Sequence, residues 1–162
     1  MKTLVLGMGN DLLSDDAVGL RVARSLREST RDPSVEVKET LLASLELLDI
    51  LAGFDRAILV DAVQTRDGKP GDVYILSPED LGSSSTPTSL HHVDLPTVLA
   101  LGRSLGAKMP ERVRIFAVEA GDVSTFGGEC CADVEAAVPK VVALIQAELR
   151  ATTPDGCSAG RL

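Results

Sequence analysis

The sequence predicts an α/β fold, a three-layer domain in which a twisted, mostly parallel five-stranded sheet carries helices on both faces. Three observations carry that prediction. Two short, continuously apolar runs, Thr3–Met8 and Ala57–Ala62, have the character of strands buried on both faces. Strand-like runs alternate with helical periodicity along the chain, the order that builds right-handed crossovers and parallel pairing. The 162 residues, 44% hydrophobic and 25% charged, suit one domain with a real core.

Taken in order, the first apolar run leads into a helix expected from about Asp15 to Ser29, with Val18, Val22 and Leu26 four residues apart on one face. Ser14 or Asp15 is placed to cap it. Val35–Thr40 alternates in the manner of a half-covered strand, and a short helix is expected near Ser44 to Ala52. After the second apolar run, Asp72–Leu76 nearly alternates, so it and Val35–Thr40 read as the two edge strands. A long polar stretch from Leu81 to Ser89 ends at His91-His92. A helix follows from about Leu95 to Leu105, capped by Asp94, with Pro96 in the first turn where a missing N–H costs nothing. Val113–Val118 is the fifth strand. The last helix, about Ala132 to Arg150, aligns Val134, Val138, Val141, Val142, Ile145 and Leu149, and Pro139 should kink it or mark a fresh start. Residues 1–150 form the domain, and 151–162 read as a flexible tail.

Charge narrows the function. With 16 Lys and Arg against 24 Asp and Glu, the formal charge of −8 disfavours nucleic acid, whose affinity rests on cations meeting phosphates. Aromatic residues are 2% of the chain, so base-stacking platforms are missing too. No apolar run is long enough to span a bilayer, and the opening residues lack a secretory pattern, so a cytoplasmic protein is expected. The odd count of three cysteines, Cys130, Cys131 and Cys157, argues against a disulfide framework.

In parallel sheets ligands gather beyond the carboxyl ends of the strands. Two loops there draw attention, Gly7–Asp16 after the first strand and the segment starting at Asp61 after the third. The glycine turn fails the dinucleotide fingerprint, because Leu12 stands at the third glycine position and carboxylates follow where a pyrophosphate would sit. No phosphate-cradling P-loop or G-x-S-x-G nucleophile elbow occurs. Asp15 and Asp16 open a helix, where the helix dipole alone would favour them. Asp61 ends an apolar strand, so its charge must be solvated, paired or metal-bound. The two histidines stand in a polar loop and not on an apolar stripe. Two aspartates and a histidine at one sheet edge make an O,O,N set suited to a divalent transition metal.

These residues carry a resemblance. Leu6-Gly7-Met8-Gly9-Asn10 followed by Leu13-Ser14-Asp15-Asp16-Ala17-Val18-Gly19 is similar to the opening motif of the [NiFe]-hydrogenase maturation endopeptidases. Asp61-Ala62, then Pro70-Gly71-Asp72-Val73, then Ser89-Leu90-His91 resemble the later motifs in the same order, over roughly residues 3 to 150. The resemblance implies an endopeptidase that removes the C-terminal extension of a hydrogenase large-subunit precursor after nickel insertion. It implies Asp16, Asp61 and His91 as metal ligands and catalytic residues. Asp16 stands where glutamate is common in the family, one methylene shorter, and His92 is the neighbour that a one-residue slip would exchange for His91. Nickel would arrive with the substrate, other divalent metals could substitute, and a monomer is expected. Two other readings fit the same residues: a non-cutting nickel-binding or chaperone module, and a metal-independent aspartic-type peptidase in which Asp16 and Asp61 share a proton.

Overall fold

A computed structural model describes residues 1–41, 45–82 and 94–151. Five strands form one sheet: β1 (Thr3–Met8), β2 (Val35–Thr40), β3 (Arg56–Val63), β4 (Val73–Leu76) and β5 (Arg112–Glu119), in the order β2-β1-β3-β5-β4. All neighbours pair in parallel except β4, which runs antiparallel to β5. The two alternating segments are the edges, as their patterning predicts, and the two continuous apolar runs lie inside. Every residue of β1 and β3 is buried, which is why neither strand alternates in sequence.

Helices cover both faces. Val5, Ile58, Val60, Phe116 and Val118 point to one side, where they meet α1 (Val18–Ser29) and α4 (Ala132–Ala151). Leu4, Leu6, Ala57, Leu59 and Ile115 point to the other, against α2 (Glu46–Leu51) and α3 (Leu95–Ser104). Asp94 caps α3 by accepting from the Thr97 amide at 3.2 Å, with Pro96 in the first turn, as the sequence predicts.

Two local expectations are corrected. The capping assigned to Ser14 or Asp15 does not occur: a 3-10 turn spans Ser14–Ala17, α1 begins at Val18, and neither start has a side-chain cap. Both side chains turn instead toward the loop after β5. At Pro139 there is no fresh start, since α4 is one helix from Ala132 to Ala151. Pro139 and Glu135 are both exposed, so water can reach the Glu135 carbonyl that loses its amide partner.

The first turn of α1 lies directly on the sheet backbone. A Cβ on Gly19 would stand 2.3 Å from the Met8 carbonyl oxygen and 2.4 Å from that of Val60. Gly9, at φ +148°, brings the chain so close to the 3-10 turn that a Cβ there would lie 2.0 Å from the Asp16 carbonyl oxygen. Gly19→Ala is therefore expected to destabilise the fold by about 3 kcal/mol or more, because neither contacting atom belongs to a side chain that can move aside. Urea unfolding checks this, and a variant within about 1 kcal/mol of wild type would contradict the backbone contact.

Candidate active site

Asp16 lies beyond the carboxyl end of β1, whereas Asp61 lies inside β3 opposite Ala117, two residues before the strand ends at Val63, which corrects the expectation that Asp61 opens the loop after the strand. Asp16 follows β1 on the 3-10 turn, which packs against β3, and is 5% exposed. Its Oδ2 accepts from the Asn10 amide at 2.8 Å. The Asn10 side chain turns back to accept from the Leu12 amide at 3.0 Å, so the loop is folded around its own polar groups. Asp61 is 1% exposed, and its Oδ1 accepts from the Ala62 amide at 2.8 Å. By strand alternation it shares the α2/α3 side of β3 with Ala57 and Leu59. There it is the acidic member of an otherwise apolar recess lined by Met8, Leu47, Leu59, Leu81, Leu95 and Ile115.

Asp15, grouped with Asp16 by sequence, has a different task. It is fully buried; Oδ2 accepts from the Gly121 amide at 2.8 Å and the Asp122 amide at 2.9 Å, and Oδ1 accepts from the Cys131 amide at 2.6 Å. Its own amide donates to the Asp122 carbonyl at 2.9 Å, and the Ser14 hydroxyl donates to the Glu129 carbonyl at 3.1 Å. One carboxylate thus gathers the loop between β5 and α4 onto the turn that carries Asp16. The helix-dipole role weighed for Asp15 leaves this partner loop out, because nothing local in sequence announces a contact 106 residues away.

Glu119 performs a similar service for the loop after β3. Buried at the end of β5, it accepts from the Thr65 amide at 2.8 Å and from the Thr65 hydroxyl at 3.0 Å. The loop after β3 is thus tied to β5, and the turn carrying Asp16 to the loop that follows β5; Asn10, Asp15 and Glu119 are positioning groups, a role that the sequence did not assign to any of them. Their residue types were visible, but their partners were not. Cys130 and Cys131 carry free thiols; burial pushes that of Cys130 up to about 11, which suits a small core side chain and not a nucleophile.

His91 and His92 lie outside the described residues. Among the described residues no group of three His, Cys, Asp or Glu is disposed to hold a metal ion, and no helix is long and apolar enough to cross a membrane. A roomier cleft of about 550 Å³ lies where β3 and β5 begin, lined by Arg56, Arg103, Arg112, Arg114, Glu111 and Glu148. It is at the opposite end of the strands from Asp16 and Asp61, and Arg56 is already engaged by Glu148 at 2.7 Å.

The family HycI, hydrogenase maturation protease, matches residues 20–148. The chain belongs to the hydrogenase maturation protease family. The Hydrogenase 2 maturation protease of Escherichia coli K12 is 34% identical over 120 residues, 73% of each chain. The solved hydrogenase maturating endopeptidase HybD of E. coli superposes with a TM-score of 0.80 at 29% identity, over 94% of both chains. The [NiFe] hydrogenase maturation protease HybD of Thermococcus kodakarensis gives 0.68 at 27% identity, covering 91% of this chain and 99% of that one. As in the relatives so named, the fold is that of a peptidase, and the expected five-stranded, mostly parallel architecture is the one found.

Proposed function

We propose that this protease removes the C-terminal extension of a [NiFe]-hydrogenase large-subunit precursor once nickel has been inserted, meeting the nickel through Asp16, Asp61 and His91. The observation that carries the reading is the burial of two carboxylates, 5% and 1% exposed, toward the carboxyl ends of adjacent parallel strands in a chain of this family. Covalent geometry supports the third ligand: His91 stands four positions before Leu95, a tether of at most about 14 Å, and Leu95 lines the same recess as Asp61.

Nickel here is part of the substrate, arriving already bound to the precursor. Two carboxylates and an imidazole complement a divalent ion that still has open coordination positions, so an unloaded precursor lacks the feature the site grips. Nickel held beside the scissile bond can polarise its carbonyl, and the attacking water then gives the new C-terminal carboxylate and a released peptide. Cleavage becomes conditional on correct loading.

Mass spectrometry of the precursor, with and without nickel, tests this. The expected result is loss of a C-terminal peptide from the nickel-loaded form alone. An unchanged mass in both would instead identify a non-cutting nickel-binding module. Equal shortening without nickel would identify a metal-independent aspartic-type peptidase.

A further inference from the structure

Four of the large hydrophobic side chains exposed among the described residues, Leu12, Leu41, Leu45 and Phe126, lie on loops leaving the carboxyl ends of β1, β2 and β5. Phe126 is 77% exposed and Leu12 63%. The chain has only three Phe and no Trp, so an aromatic ring standing in water here serves no core. Phe126 and Leu12 are joined through the backbone: Leu13 and Phe126 form an antiparallel bridge, and the Gly127 amide donates to the Leu12 carbonyl at 2.9 Å.

The loop that presents Phe126 is fixed from below. Asp15 holds its two ends through the amides of Gly121, Asp122 and Cys131. Asp122 folds the middle by accepting from the Ser124 and Thr125 amides at 2.9 and 3.1 Å and from the Thr125 hydroxyl. These contacts, the Thr125 hydroxyl foremost, pull the Asp122 carboxyl down to about 2. Its support is thus present above the ordinary aspartate range and is lost only as the pH falls toward 2. A large aromatic side chain on an already ordered loop loses little freedom on binding, which is the character of an interface anchor.

We propose that Phe126, with Leu12, is the docking contact for the protein being cut, seating against an apolar surface of the folded precursor beside its scissile bond. This rests on the function proposed above. The occupant follows from continuity. Leu12 lies on the Asn10–Asp16 loop, and Phe126 lies on the loop that Asp15 clamps to the same turn, so the patch adjoins the turn that presents Asp16 to the polypeptide being cut. The net charge of −8 argues against an anionic lipid surface as the occupant.

Phe126→Ser and Leu12→Ser are compared with Leu144→Ser, a change at an exposed leucine on α4. Cleavage of nickel-loaded precursor is followed by mass spectrometry, and binding to the precursor is measured by calorimetry. Phe126→Ser is expected to raise KM and weaken binding about tenfold or more, with kcat within about twofold and an unchanged unfolding midpoint, while Leu144→Ser matches wild type. Unchanged KM and binding in both rim variants would overturn the docking proposal and leave the peptidase reading intact. Wild-type binding without cutting, lost in Phe126→Ser, would uphold the docking and sink the peptidase reading. A wild type that fails to bind the precursor overturns both. A wild-type dimer in sedimentation that Phe126→Ser dissociates, with precursor binding unaltered, would assign the patch to a second copy and overturn the proposal.

Discussion

Asp61→Asn is expected to slow nickel-dependent shortening of the precursor by about 100-fold or more, the scale on which removing a single contact to a reacting centre acts. The substitution keeps the side-chain volume, so the apolar recess around it stays filled and the strand retains its register with β5. On the proposed reading, what disappears is a carboxylate oxygen that would meet the ion brought by the substrate. Time-resolved mass spectrometry gives the rate, and an unfolding curve beside it confirms that the variant folds. Asp16→Ala and His91→Ala are expected to fail to the same extent, whereas His92→Ala is milder. Equal loss at both histidines would remove the assignment of His91 alone, and near-normal cleavage by Asp61→Asn would remove Asp61 from the site.

Asp15→Ala is expected to cost about 4 kcal/mol of stability without touching a substrate. The carboxylate satisfies three backbone amides, those of Gly121, Asp122 and Cys131, and is fully buried. Each stranded donor costs about 1–3 kcal/mol, moderated where the loop can open to water. Against a total stability of about 5–15 kcal/mol this is a large loss. Urea unfolding should show a lower midpoint with the slope little changed, and Asp15→Asn should fall between, since its amide can keep some of the acceptor contacts. A midpoint within about 1 kcal/mol of wild type would show that the loop does not depend on this clamp.

What the sequence discloses about the fold is whatever depends on burial and local geometry. Continuous apolar runs marked β1 and β3 as interior, alternation marked β2 and β4 as edges, and Asp94 with Pro96 marked the start of α3, because each signal is written in neighbouring residues. Ser14 and Asp15 show the opposite case. Their types fit a helix cap, yet their oxygens serve a loop more than a hundred positions away, and no local pattern separates the two uses. For the candidate site, Asp61 stood out because an acid in an apolar strand needs a reason. Glu119 did not, since its partner Thr65 stands 54 residues away and is brought beside it only by the fold. Phe126 had no periodic context at all, and its meaning lies in exposure, which only three dimensions disclose.

The glycine seat of α1 bears on how such a site could choose among ions. Gly19 rests between the carbonyls of Met8 and Val60, and Val60 immediately precedes Asp61, while α1 continues directly from the turn that carries Asp16. The spacing of the two aspartates' backbones is therefore set by main chain lying on main chain, and each carboxylate is further held by an amide, that of Asn10 for Asp16 and that of Ala62 for Asp61. On the proposed reading, the pair behaves as a fixed gauge. An ion of the wrong radius, or one seated too deep in its carrier, meets a gap that does not widen to receive it, so discrimination would reside in the backbone as much as in the ligands.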